Sequence, residues 1–146
     1  MIKRNSTAAW QGDLKAGQGT VSLGSGAWSG PYNFSGRFES GSGTNPEELI
    51  GAAHAGCFSM ALSGALGEAG FVPNNISTRA TVNLEMLEGG PTVTGIVLDC
   101  EADVPNISAG QFAEIATATK SACPISRLLA STPITLNAQL VSGANA

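Results

Sequence analysis

Three cysteines and one histidine hold most of the chemical options in this chain. Cys57 falls within a long run of small apolar residues, with Ala53, His54, Met60 and Ala61 at helical spacing around it. Two readings compete there. One is a small core residue in a tight Ala/Gly helix. The other is a nucleophile, which needs a depressed pKa or an adjacent base to be thiolate at neutral pH. Cys123 directly precedes Pro124. If Pro124 opens a helix, Cys123 is its N-cap, and the helix dipole and free N–H groups favour the thiolate. Lys120 and Arg127 lie close in sequence and add positive potential. By local context alone, Cys123 is the more activated thiol. Cys100 alternates in phase with Ile96, Leu98, Ala102 and Val104, so it belongs to the apolar face of a strand as a buried structural residue.

His54 stands three residues before Cys57 and shares its helix face. A Cys–His nucleophile pair is conceivable; a helix-flank histidine hydrogen-bonded to backbone is the plainer reading. His54 with the three cysteines has the ligand count for zinc but lacks the Cys-x-x-Cys and short Cys-to-His spacings of structural sites. Arg37, in SGRFES, reads as a strand residue, and Glu47 and Glu48 open the following helix. A buried arginine requires an anionic partner, and Glu47 is the plausible one. We expect this pair to be the least exposed of the charges. No phosphate-binding loop, dinucleotide fingerprint, serine elbow or EF-hand occurs.

The elements that must position these groups are legible from pattern. The first forty residues read as β-structure: Thr20-Val21-Ser22-Leu23 alternates, glycines punctuate, and Trp10, Trp28, Tyr32, Phe34 and Phe38 pack the sheet and its edge. Asn45, Pro46 and Glu48 form a helix start, with Thr44 and Glu47 offering the same capping pattern one residue earlier. This helix is expected to run to about Ala69, closed by Gly70. Ile76 to Met86 and Thr94 to Val104 alternate as two strands of a hairpin, turned by Glu88-Gly89-Gly90-Pro91. Ser108, with Gln111 three residues on, starts a second helix ending near Ala122. A short helix over 125–130 and a last strand over 133–141 follow, then a loose tail at 142–146. The order β-β-β-α-β-β-α-α-β implies an α+β fold with largely antiparallel pairing.

Length and composition bound the class. The chain has 146 residues, enough for one domain with its own core and too few for two. A net charge of −4 argues against nucleic acid. The start shows no signal peptide, and three widely spaced cysteines do not make a secreted disulfide framework, so the chain reads as cytoplasmic with reduced thiols. Residues 49–67 carry no Asp, Glu, Lys or Arg, but one such stretch, containing a histidine, two serines and four glycines, reads as a buried central helix, not a membrane span. Charged residues make up 12% of the chain against roughly 25% in ordinary domains. Either small polar residues solvate the surface, or an oligomer hides much of it. Small residues at four-residue spacing (Gly51 with Ala55, Ala52 with Gly56, Ser59 with Ser63) favour the oligomer, because small faces let backbones approach closely.

GTNPEELIGAAHAGCFSMALSGALGEAGF at residues 43–71 resembles the signature helix of the OsmC branch of the OsmC/Ohr family. AAWQGDLKAGQGTVS at 8–22, GRFES and SACPIS are similar to the family as well, in the expected order. The resemblance runs essentially from residue 8 to residue 140. It implies a single OsmC-like domain over 1–146, with antiparallel sheets wrapped around long central helices in an intertwined homodimer. It implies a thiol peroxidase acting on organic hydroperoxides and, less well, hydrogen peroxide. Cys57 is then the peroxidatic cysteine, Cys123 the resolving one, and Arg37 and Glu47 the activating pair, with a lipoyl-type or other small dithiol as reductant and no metal or organic cofactor. That order reverses the local reading, in which Cys123 is the more activated thiol. Glu47 and Cys57 are ten residues apart, about 15 Å along a straight helix, so they cannot touch directly within it. Either Arg37 bridges part of that gap, or the glutamate lies in a bent lead-in, or the site combines two subunits. The competing reading from another class is a redox sensor or ligand-binding stress protein that uses the same disulfide as a switch.

Overall fold

The structure is a computed structural model, and it describes residues 1–141; the tail expected to be loose lies outside the described residues. The chain divides into two compact units, Met1–Leu49 and Ile50–Ala146.

In the first unit, β1 (Ser6–Gln11), β2 (Gln18–Leu23) and β3 (Ser29–Tyr32) form an antiparallel sheet in the order β1-β2-β3. Register places Trp10 and Tyr32 on either side of Gly19. Their rings close over it edge to face, with centroids 5.3 Å apart. Only glycine fits beneath them, because a Cβ at Gly19 would lie 2.7 Å from the Trp10 ring. After β3 the chain does not continue as a strand. Asn33 caps a short helix, α1 (Phe34–Phe38), its Oδ1 accepting the Gly36 N–H at 2.7 Å. Arg37 therefore sits in the last turn of a helix, which corrects the strand expected for SGRFES. The capping side chain of Asn33 overrides the β-propensity of the two phenylalanines.

Helix α2 (Pro46–Glu68) begins in the first unit and runs through the second. Asn45 caps it as expected, accepting the Glu48 N–H at 2.8 Å, while its amide donates to the Gly36 carbonyl. At the other end Gly70 adopts φ +92°. The Phe71 N–H reaches Leu66 O at 2.9 Å and the Gly70 N–H reaches Gly67 O at 3.0 Å, a Schellman closure.

In the second unit α2 buries one stripe, Gly51, His54, Phe58, Leu62 and Leu66, at three- and four-residue spacing. It is the one helix among the described residues long and apolar enough to cross a membrane. Its buried stripe packs instead into a core with Ile96, Leu98, Phe112, Ala116 and Cys123. The Ser59 and Thr78 hydroxyls, 2.8 Å apart, pin it to the neighbouring strand.

That strand is β4 (Asn75–Leu87), which pairs antiparallel with β5 (Gly90–Asp103) around the expected turn. A register shift at Asn83/Leu84 leaves Thr94 as the extra residue on β5. Ile96, Leu98, Cys100 and Ala102 are buried in alternation, in the phase read from the sequence. Helices α3 (Ala109–Ala122) and α4 (Pro124–Leu128) then cross over to β6 (Ile134–Leu140). Ser108 caps α3 by accepting the Gln111 N–H at 3.1 Å. Strand β6 pairs parallel with β5, so this sheet is mixed and the expectation of largely antiparallel pairing is corrected at its edge. A crossover through two helices returns the chain to the end of the sheet from which β5 started, which a tight turn cannot do.

Gly70 has no atom within 4 Å of a built Cβ, so its φ is the sole obstacle to a side chain. Gly70→Ala is expected to destabilise the protein by about 1–2 kcal/mol in denaturant unfolding; an unchanged midpoint would refute a left-handed helix closure.

Candidate active site

The second unit brings two of its three thiols together. Cys57 lies mid-helix in α2, one residue before the buried Phe58, which fixes the rotation of α2 about its axis. Cys123 stands between α3 and α4, as the C-cap of one and the N-cap of the other. Pro124 has no N–H to continue α3, so the helix breaks at Cys123 and restarts in a new direction. The two Sγ atoms lie 3.1 Å apart and both thiols are free. A disulfide S–S bond is about 2.05 Å, so oxidation needs an approach of about 1 Å. Cys57 is partly exposed and Cys123 is fully buried. Cys100 is buried on β5, outside this pair. Burial pushes its thiol pKa up, as for an inert core cysteine.

The pair is electrically uneven. Burial pushes the Cys57 pKa up, and hydrogen bonding to Cys123 and the negative charge that builds there push it further, against a smaller opposing pull from the Ile125 N–H. For Cys123, burial pushes upward too. The Ser126 N–H, the Cys57 thiol, the Ser126 hydroxyl and the Ile125 N–H together outweigh it and bring the thiol below its ordinary value. No formal capping hydrogen bond reaches the sulfur, so the two N–H groups act on it through their dipoles. The surroundings thus favour the thiolate at Cys123 over the thiolate at Cys57.

His54 does not contact backbone, as its plainer reading held. It is fully buried, and its Nε2 lies 2.7 Å from Ser126 Oγ. Its Nδ1 is buried without a partner among the described residues. Burial lowers its pKa below 6.5, so the ring is neutral. Ser126 was not singled out from the sequence. Its one signal was position, three residues after a candidate N-cap cysteine.

In the first unit, Arg37 and Glu47 pair as expected, Nε to Oε1 at 2.8 Å. The expectation that both are hidden needs correction. The Glu47 side chain is 9% exposed and that of Arg37 38%. The guanidinium docks by its Nε edge and lies over the Phe38 ring, 5.2 Å from its centroid. Among the described residues its two terminal NH2 groups carry no hydrogen bond, leaving a forked donor for an incoming acceptor. A cleft of about 390 Å³ opens beside it, lined by Trp10, Leu14, Tyr32, Phe34 and Phe38. Four of the aromatics read as sheet packing, Trp10, Tyr32, Phe34 and Phe38, thus also line this cleft. Among the described residues no group of three or more His, Cys, Asp or Glu side chains converges as a metal site.

Comparison with known proteins agrees with the resemblance read from the motifs. The family model described as OsmC-like protein matches residues 39–138. The peroxiredoxin OsmC of Escherichia coli strain K12 is 51% identical over 142 residues, covering 97% of this chain and 99% of that protein. An organic hydroperoxide resistance protein of Xanthomonas axonopodis pv. citri is 29% identical over 87 residues, 59% of each chain. Among solved structures, the organic hydroperoxide resistance protein OhrB of Bacillus subtilis superposes with a TM-score of 0.73 at 21% identity, covering 92% of this chain and 97% of that one. An OsmC-like protein from Mycoplasma pneumoniae superposes with a TM-score of 0.74 at 17% identity, covering 95% and 98%. The α+β architecture is thus the OsmC/Ohr fold, and the chain belongs to the OsmC family.

Proposed function

We propose that the chain is a single OsmC-like thiol peroxidase domain that reduces organic hydroperoxides, and hydrogen peroxide less efficiently, to alcohols and water. The observation that carries this reading is the thiol pair: an accessible Cys57 3.1 Å from a buried Cys123. The names of the relatives, a peroxiredoxin and an organic hydroperoxide resistance protein, support it.

The roles follow from accessibility. A peroxide from solvent meets Cys57 first, so Cys57 is the peroxidatic thiol. Its thiolate attacks the terminal peroxide oxygen, the O–O bond breaks, and the alkoxide takes a proton to leave as an alcohol. Cys57 becomes a sulfenic acid. Cys123 attacks that sulfur and forms the disulfide, releasing water, before a second peroxide oxidises Cys57 further. An external dithiol, lipoyl-type or another small one, reduces the disulfide by exchange.

Arg37 supplies what the thiol pair lacks. Left to each other, the two thiols favour ionisation of Cys123. Making Cys57 the thiolate calls for a cation, and we assign that role to Arg37, which Glu47 orients. The apolar cleft beside Arg37 suits the organic group of a hydroperoxide better than hydrogen peroxide.

The enzyme works as a homodimer in the cytoplasm. Opposite its buried stripe, α2 exposes Ala53, Gly56, Met60, Gly64 and Gly67. A Cβ at Gly56, Gly64 or Gly67 meets nothing, so that face stands open. A second copy covers it.

Cys57→Ser abolishes turnover of an alkyl hydroperoxide, while Cys123→Ser completes one stoichiometric turnover and then stops. Peroxide reduction that persisted catalytically in Cys57→Ser would overturn the mechanism. Mixing the protein with excess peroxide and a dithiol gives many turnovers; a redox sensor would stop at one. Arg37→Gln lowers kcat/KM by about 10²-fold, the scale of losing one preorganised donor, and Glu47→Gln, which keeps the acceptor oxygen, lowers it less. Equal losses in the two variants would count against Glu47 as the group that orients Arg37. Light scattering at micromolar concentration gives the mass of a dimer; a monodisperse monomer refutes the shared α2 face.

A further inference from the structure

Among the buried polar groups of the second unit that the peroxidase cycle leaves unused, Thr119 bonds its own helix at Ile115 O, while His54 and Ser126 bond each other and are placed beside the thiols. His54 is three residues before Cys57 on α2, and Ser126 is three residues after Cys123 on α4. The segments carrying the two thiols are thus joined twice, by Cys57 to Cys123 at 3.1 Å and, one helical turn away, by His54 Nε2 to Ser126 Oγ at 2.7 Å. His54 is fully buried and Ser126 is 3% exposed. A neutral, solvent-free histidine–serine contact is a costly way merely to fill space, which apolar side chains do without desolvation.

The orphaned ring nitrogen fixes which way this rung is polarised. Nδ1 is buried and has no partner among the described residues. An imidazole carrying its hydrogen there would leave a buried N–H unsatisfied, which is rarer and costlier than an unfilled lone pair. The hydrogen therefore sits on Nε2, and Nε2 donates to Ser126 Oγ. A hydroxyl that accepts in this way keeps its own hydrogen for another acceptor. Ser126 stands three residues after Cys123 in the short helix that Cys123 caps, so its bond to His54 fixes that segment against α2.

We propose that His54 and Ser126 are positioning residues for the resolving step: their hydrogen bond ties α4, and with it Cys123 at its N-cap, to α2 one turn from Cys57, and so keeps the Cys123 sulfur in line with the Cys57 sulfur. The inference rests on the peroxidase reading above. In the step concerned, the Cys123 thiolate attacks the sulfur of Cys57 sulfenic acid. The S–S bond forms and the S–O bond breaks. Hydroxide leaves and takes up a proton to become water, balancing the proton lost by the Cys123 thiol. The Cys123 sulfur is oxidised and the sulfenic sulfur is reduced. While the sulfurs close the remaining distance, the polar rung keeps α2 and α4 from shearing past each other.

Single turnover of the full-length reduced protein with one equivalent of cumene hydroperoxide tests this. Quenched samples read by mass spectrometry give two rate constants, one for loss of the Cys57 thiol and one for gain of the disulfide. Ser126→Ala, which removes one oxygen, lowers the second relative to the first by about tenfold, the scale of losing one buried hydrogen bond. Dimedone-trappable sulfenic acid then accumulates. Ser126→Thr, which keeps the hydroxyl, restores the ratio. His54→Gln retains a side-chain N–H donor and keeps more of the ratio than His54→Leu. A wild type that forms the disulfide while Ser126→Ala and His54→Leu leave the ratio unchanged overturns the dyad alone. Equal loss in His54→Gln and His54→Leu overturns the donor role of His54. A wild type that forms no disulfide overturns the peroxidase reading and the dyad with it.

Discussion

The contact between Cys57 and Cys123 is the constraint that the second unit is built to meet. The sulfurs come from segments 66 residues apart in sequence, yet they stand 3.1 Å apart. Rotating α2 by one residue would turn Cys57 by about 100° and move it about 1.5 Å along the axis, which would destroy the contact. Phe58, Leu62 and Leu66 prevent this by locking one stripe of α2 into a core that also holds Cys123. Phe112, Ala116 and Thr119 do the same for α3, so the point where Pro124 breaks the chain is fixed in space. Close packing gives such interiors little room to drift. The hydrophobic core is thus the device that keeps two sulfurs within reach of a bond.

The electrical asymmetry of the pair suits the second half of the proposed cycle better than the first. Cys123 is the easier thiol to ionise and is fully buried, so it is a nucleophile that solvent peroxide does not readily reach. Cys57 is accessible and hard to ionise without help. In that cycle, accessibility selects which sulfur is oxidised and the pKa order selects which sulfur resolves it. In the proposed cycle activation of Cys57 falls to a separate cation, and a forked guanidinium held by one edge suits that task, because a cation beside a thiol lowers its pKa and the fork can donate to peroxide oxygens. A thiol pair that activated its own peroxidatic cysteine would make its resolving cysteine the poorer nucleophile.

What could be read from the sequence followed the range of the forces involved. The caps at Asn45 and Ser108, the closure at Gly70, the alternation of β4, β5 and β6, and the place of Cys123 before Pro124 are all local, and each was legible. Cys100 was assigned to the core from strand phase alone, and that is where it lies. The failures were of two kinds. SGRFES reads as a strand within forty residues of β-like pattern, but the Asn33 cap makes Phe34–Phe38 a short helix. The parallel pairing of β6, the Nε edge that leaves Arg37 half-exposed, and the contact of His54 with Ser126, 72 residues away, depend on which surfaces meet in space. No local pattern encodes such meetings. The pairing of Arg37 with Glu47 was anticipated on the argument that a buried cation needs an anion, yet it is the anion that is buried.

The scarcity of charge also takes a definite location. Between Leu49 and Gly67 no residue carries a formal charge, and α2 is uncharged on both its faces there. The buried face needs no charge, because it packs against the core. The other presents glycine, alanine, serine and one methionine, a surface too small-featured to shield itself and too apolar to be well solvated. Solubility would be served by a lysine or glutamate at Gly56 or Gly64, where a side chain would meet nothing in the chain. Helix propensity would be served as well, since glycine costs about 1 kcal/mol relative to alanine in a helix interior. That both gains are forgone is best explained by something that must approach this face closely. In the proposed dimer a second copy of the same helix, equally bare, meets that requirement, and the positions that look wasteful in one chain are those at which two backbones can approach.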